Sequence, residues 1–199
     1  MTEPIARNPI TSDVKLGYEG KLSEDGQMNN SGTFTYENGD VYQGDWLNYK
    51  KEGKGKMTYH ERDVYVGDWK NDMKQGKGIM TYENGDVYEG DWLNDMRNGK
   101  GKMTYAEGEL HSKEDVYEGQ WKNDMRHGQG EYRYADRRNY SGGWEKDMKH
   151  GKGRFTYEDG EYEDGVWIND EVVKHKRRGG KSRKSIKKRK STKKRKSKR

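Results

Sequence analysis

Gly76–Trp92 reads GKGIMTYENGDVYEGDW, two runs of alternating residues on either side of Glu83-Asn84-Gly85. Alternation with period 2 marks a β-strand with one buried face, and an Asn-Gly pair between two such runs marks a hairpin. Two registers are open to it. A two-residue Asn-Gly turn sets Tyr82 opposite Val87 and puts Tyr82 and Met80 on the other sheet face from Tyr88 and Trp92. A three-residue loop closed by a left-handed glycine pairs Tyr82 with Asp86, Met80 with Tyr88 and Gly78 with Gly90. The second register is preferred, because it gathers every large side chain on one face and leaves Lys77, Thr81, Glu89 and Asp91 as a wet face. Glycine weakens a strand interior unless something approaches it closely. Gly76, Gly78 and Gly90 are therefore read as holes on the aromatic face, filled by tryptophan rings of a neighbouring hairpin.

The pattern recurs along the chain. Tryptophans stand at Trp46, Trp69, Trp92, Trp121, Trp144 and Trp167, at intervals of 23, 23, 29, 23 and 23 residues. The one long interval holds a six-residue insertion within 106–115, where AEGELHSKED replaces the ENGD of the neighbouring unit. An insertion in a repeat falls in a loop. One hairpin is marginal in water, so such units must stack. The expected fold is all-β, an elongated solenoid-like stack of tandem hairpins in one continuous antiparallel sheet. With strands ~4.8 Å apart each unit advances about 10 Å, and seven units span on the order of 65 Å.

Composition agrees with a thin body. Hydrophobic residues make up 27% of the 199, against roughly 45–50% apolar in ordinary domains. Yet there are 15 Tyr, 6 Trp and 2 Phe, enough for an aromatic spine. Without cysteine, neither disulfides nor thiolate metal sites can support the fold. The start, MTEPIARNPITSDVK, lacks the basic and apolar regions of a signal peptide, and no stretch approaches the ~18 apolar residues of a membrane span. The expected location is intracellular, cytoplasmic or nuclear.

The motif Tyr-x-Gly-x-Trp followed by Gly-x-Gly, repeated every 23 residues, resembles the MORN repeat (membrane occupation and recognition nexus). It is carried by Tyr42/Gly44/Trp46, Tyr65/Gly67/Trp69, Tyr88/Gly90/Trp92, Tyr117/Gly119/Trp121 and Tyr140/Gly142/Trp144. The glycine pairs are Gly53/Gly55, Gly76/Gly78, Gly99/Gly101, Gly128/Gly130 and Gly151/Gly153. The end units depart from it: Leu22 replaces tryptophan in the first, and the last reads Glu163-Asp-Gly165-Val-Trp167 with its tyrosine shifted to Tyr162. Such units look like caps with one packed neighbour. Three residues after tryptophan, where the family often has glycine, this chain has Asp72, Asp95, Asp124, Asp147 and Asp170. Aspartate tolerates turns, so the linking turn is expected to survive. The organisation expected is an N-terminal extension over 1–16, about seven repeats over 17–173, and a disordered basic tail over 174–199.

Chemistry finds little purchase. His60 and His111 fall in turns, His127 and His150 at a variable repeat position, and His175 at the start of the tail, with no metal-ligand spacing. The GKGK segments lack the GxxxxGK[ST] frame of a phosphate loop. The acidic residues recur in register with turns and wet faces. The 32 residues after Trp167 are too few for an added catalytic domain. No catalytic, cofactor or metal site is expected.

The tail is another matter. Lys174–Arg199 carries 17 of the 41 Lys and Arg and no Asp or Glu, leaving 24 basic against 35 acidic residues over 1–173. The clusters Lys187, Lys188, Arg189, Lys190 and Lys193, Lys194, Arg195, Lys196 suit nuclear import or polyanion binding through phosphates, without base stacking. The expected function is a scaffold that binds protein partners or itself along the aromatic groove of the Tyr, Gly and Trp residues above and Trp167. A peripheral membrane tether on anionic lipid is the alternative.

Overall fold

The computed structural model describes residues 17–24, 26–106 and 114–178. Fourteen strands follow in order: β1 (Tyr18–Leu22), β2 (Met28–Thr35), β3 (Val41–Leu47), β4 (Lys50–Thr58), β5 (Val64–Lys70), β6 (Met73–Thr81) and β7 (Val87–Leu93). Then come β8 (Met96–Tyr105), β9 (Asp115–Lys122), β10 (Met125–Arg133), β11 (Asn139–Glu145), β12 (Met148–Thr156), β13 (Tyr162–Ile168) and β14 (Glu171–Arg178). Each pairs antiparallel with the next, giving one open sheet in chain order.

The three-residue loop sets the register. Between β6 and β7, Gly78 pairs with Gly90 and Met80 with Tyr88. Tyr82 donates its N–H to the Asp86 carbonyl at 2.9 Å, and Gly85 has φ +88°. The linking turns between repeats are two-residue turns with both residues left-handed, as at Asn94 (φ 49°) and Asp95 (φ 67°). Their handedness matches the twist of the flanking strands. The insertion lies between Tyr105 and Asp115, which pair as the last rungs of β8 and β9, so it lengthens one loop and leaves the ladder intact. Its central residues, 107–113, lie outside the described residues.

Packing differs from the expected scheme in two respects. The ring over each glycine pair is tyrosine, not tryptophan. A Cβ on Gly67 would come 2.5 Å from the Tyr65 hydroxyl, and one on Gly78 2.5 Å from its Cε2 and Cζ, so Tyr65 roofs its own strand and the next. The first glycine of each pair is also no hole. Gly76 has φ +67°, and a Cβ there would meet the Asp68 carboxylate at 2.6 Å. It belongs to a bulge opposite Asp68, between the rungs Gly67/Gly78 and Trp69/Lys74. Asp68 accepts the Lys77 N–H of that bulge at 2.8 Å. Asp45 and Asp91 do the same for Lys54 and Lys100, and Gln120 for Gln129.

Strand pairing continues five residues into the basic segment, because β14 runs to Arg178. Residues 1–16 and 179–199, including both basic clusters, lie outside the described residues.

Candidate functional site

The spine forms from the bulge upward. Tyr42, Tyr65, Tyr88, Tyr117 and Tyr140 are fully buried. Each donates its hydroxyl to the carbonyl three residues on, at 2.9–3.0 Å, which the bulge has freed from the ladder. Trp46, Trp69, Trp92, Trp121 and Trp144 donate Nε1–H to a glycine carbonyl of the preceding strand at 3.2–3.3 Å. Tyrosine and tryptophan then alternate edge to face, with centroids 4.9–5.4 Å apart from Tyr42 to Trp167. Such geometry adds roughly 0.5–1.5 kcal/mol per pair beyond area burial. These residues are consumed by the fold, and the fully buried tyrosines have no surface left for a ligand.

Above the spine lies a row of cations. Lys51, Lys74, Arg97, Arg126 and Lys149 sit 4.4–5.1 Å from the tryptophan centroid of the following strand. Burial lowers the pKa of Lys51, Lys74 and Lys149, and nearby aspartates oppose it. The turn aspartates explain themselves here. Asp72, Asp95, Asp124, Asp147 and Asp170 accept the backbone N–H of Lys51, Lys74, Arg97, Arg126 and Lys149 at 2.8–2.9 Å, which ties each linking turn to the one before. At the other edge Asp40, Asp63, Asp86 and Asp115 accept an N–H from the next hairpin loop at 2.7–2.9 Å. The position before Gly-x-Gly also works as a cap: Glu52 and Gln75 accept the N–H of Asn71 and Asn94. Much of the acidic surface is thus structural.

On the aromatic face, where a partner groove was expected, a depression of about 410 Å³ lies among Tyr59, Lys74, Met80, Tyr82 and Trp92; a larger open surface lies on the face away from the rings. There a groove of about 1220 Å³ crosses the strands, floored by Gly67, Gly78, Gly90 and Gly101 and walled by Lys54, Lys77, Lys100 and Lys102. Val66 (50% exposed) and Ile79 (42%) give it an apolar centre. A second depression of about 620 Å³ continues it through Gln129 toward Lys152, Arg154 and Lys174. Sequence reasoning missed it: Lys77 and Glu89 were legible as wet residues, but the groove between them was not.

The motif glycines divide accordingly. Gly67, Gly90 and Gly119 line the larger depression and Gly142 the smaller, on the face opposite the aromatic groove expected of them. Gly44 lies in neither of these two depressions. It serves packing alone: a Cβ there would come 2.5 Å from the Cα of its partner Gly55 and 2.6 Å from the Tyr42 hydroxyl. The wall that would make a groove beside it is missing. The place that Lys54 and Lys77 hold in later repeats belongs here to Ser31, whose short side chain donates to Asp45 at 2.6 Å.

Among the described residues no group of three His, Cys, Asp or Glu side chains could hold a metal ion, and no helix is long and apolar enough to cross a membrane.

The fold and its spine define a tandem β-hairpin repeat protein built as a single open sheet. The MORN repeat family model matches residues 18–41, 42–64, 65–87, 88–109, 117–137 and 140–162, more than half of the chain. The chain belongs to the MORN repeat family, with six matched repeats. A comparison with curated proteins finds no match. Among solved structures it is similar to the SAS-4 (dCPAP) TCP domain of Drosophila melanogaster, determined in complex with a proline-rich motif of Ana2 (dSTIL). That likeness has 13% identity and a TM-score of 0.43, covering 83% of this chain and 86% of the other.

Proposed function

We propose that the chain is a non-catalytic scaffold whose repeat sheet holds a protein partner or a second copy, while the basic segment from Lys181 onward engages a polyanion. One observation carries the reading. The buried rings and many of the carboxylates are spent on packing and capping, whereas the ring-free face keeps an open groove along the stacked repeats. A continuous groove over stacked units is how repeat proteins present extended binding surfaces. The basic clusters Lys187–Lys190 and Lys193–Lys196 supply phosphate-directed charge, sequence-independent and salt-sensitive. Nucleic acid, an import receptor and an anionic membrane surface all meet that description.

Co-sedimentation with anionic vesicles in about 0.15 M salt separates this reading from a lipid-binding repeat surface. The full chain is compared with a chain ended after Arg178, each checked for retained strand signal. The shortened chain is expected to stay in the supernatant, and pelleting by it would replace the scaffold reading with a membrane-tether one. Affinity capture with both chains then identifies partners that the repeats hold without the basic segment.

A further inference from the structure

The groove has a charge opposite to that of the body around it. Its two parts are lined by seven basic residues and three acidic ones, Glu89, Glu118 and Asp164, whereas positions 1–173 as a whole hold 24 basic and 35 acidic residues. Lys54, Lys77 and Lys100 occupy the same place in successive repeats, as does Lys152 two repeats further on. Lys54 pairs with Asp68 and Lys77 with Asp91. Those carboxylates already accept backbone N–H groups, from Lys77 and Lys100, and the lysine side chains remain 75% and 71% exposed. Exposed pairs of this kind hold a lysine weakly. Its ammonium can turn to a carboxylate lying in the groove.

From this we infer that the groove binds an extended acidic segment of a partner protein, with carboxylates phased to the repeat. The inference rests on the scaffold reading and names the partner's chemistry. Charge rejects the other occupants: the chain's own segment after Arg178 is basic, and a second copy laid face to face would set lysine row against lysine row. Pitch supplies the phase. One repeat is two strands, about 10 Å along the sheet. A polyproline II chain has three residues per turn and returns a side chain to the same side about every 9.3 Å. A carboxylate at every third residue therefore meets Lys54, Lys77 and Lys100 in turn, while intervening aliphatic side chains reach Val66 and Ile79.

The test uses the full-length protein and fluorescence anisotropy in about 0.05 M salt, where surface charge is least screened. The probe is a labelled peptide of about five Glu-Pro-Ala units, compared with an isomer whose glutamates are contiguous. Three proteins are compared: wild type, a Lys54→Gln/Lys77→Gln/Lys100→Gln variant, and a variant with Lys187–Lys190 and Lys193–Lys196 changed to Gln. Losing three exposed ion pairs is expected to weaken the phased peptide about tenfold. The tail variant should bind as wild type or better. Equal affinity in the lysine variant, lost binding in the tail variant, or preference for the contiguous isomer would each overturn the inference. No binding by wild type would overturn it too, yet leave capture of a partner by the repeats a separate result. Unchanged far-ultraviolet circular dichroism shows that the exposed substitutions leave the sheet folded.

Discussion

Gly78→Ala tests the packing of the spine most directly. Gly78 is not in the left-handed region, so alanine there brings no backbone strain. The cost is purely steric. The new methyl would lie 2.5 Å from Tyr65 Cε2 and Cζ and closer still to the hydroxyl. The ring cannot yield: its hydroxyl bonds the Asp68 carbonyl at 3.0 Å, and Trp69 and Trp92 flank it with centroids at 5.1 and 5.3 Å. Overpacking a tight core costs about 1–3 kcal/mol, and this site belongs at the top of that range. With a urea slope of about 2 kcal/mol per M, the midpoint should fall by about 1.5 M. Gly160→Ala is the control. Gly160 has φ +83° with nothing within 4 Å, so only the conformational cost of about 1 kcal/mol applies. Tyr65→Ala alone should cost about 3–5 kcal/mol. Combined with Gly78→Ala it should cost less than the sum, because the methyl enters vacated space. Circular dichroism in urea measures all four. If Gly78→Ala cost no more than Gly160→Ala, or if the pair were additive, tyrosine would not be what fills the glycine slot.

Asp95→Gly would ease a left-handed turn but remove the acceptor for Lys74 N–H at 2.8 Å; a net loss of about 1 kcal/mol is expected in thermal melts, and a gain in stability would show that the carboxylate has no capping role. Arg62 and Arg137, both at φ 73°, stand where other loops have glycine, so Arg62→Gly and Arg137→Gly should each stabilise by up to about 1 kcal/mol in urea titrations. Burial, then nearby carboxylates, pushes Tyr36 and Tyr59 up to about 12. A group whose folded pKa is raised stabilises fully below its unfolded value of about 10, and that stability is lost as pH climbs toward 12. Denaturant midpoints measured across that window should fall, while a flat profile would contradict burial of these phenols. Ending the chain after Arg178 should leave the melting temperature unchanged, whereas ending it after Val173 removes five of the eight residues of β14 and should lower it.

The hairpin register was legible because the sequence offered only two solutions and one of them split the large side chains between faces. Reading Gly76 and Gly78 as equivalent holes failed for a physical reason. Simple alternation assumes that every residue advances the strand equally, and a bulge breaks that assumption without changing the residue types. The signal was nonetheless present in the aspartate before three of the six tryptophans, which caps the bulge at Asp45, Asp68 and Asp91. Where Gly143 stands instead, a Cβ on Gly151 would meet nothing within 4 Å. The assignment of rings to slots was out of reach for a similar reason: Tyr65 and Trp69 share one strand and one face, and which of them lies over Gly78 depends on how the bulge turns the strand. The groove was hidden because it arises between the wet side chains of successive strands, a property of the stack and not of any one repeat.

The last strand shows how the stack ends. In an interior repeat the bulge lets Tyr140 meet Phe155 and Gly142 meet Gly153. In β13 and β14 the shift is one residue smaller: Gly165 meets His175, and Glu163 meets Arg177. The tyrosine site is thereby filled by Glu163, which is 7% exposed and accepts the Tyr157 hydroxyl at 2.9 Å. A further hairpin would need a ring at 163 roofing a glycine on β14, and neither residue is present. The edge strand is β14, which carries Lys174, Lys176, Arg177 and Arg178, and charged residues blunt an edge strand against unwanted pairing. The aromatic ladder ends on β13 at Trp167 and the basic run begins on β14 at Lys174, so stacking gives way to charge from one strand to the next. The groove and the basic segment therefore meet at the C-terminal end of the sheet, where Lys174 belongs to both. A ligand spanning the two would gain from their linkage by raising the effective concentration of the second contact once the first is made.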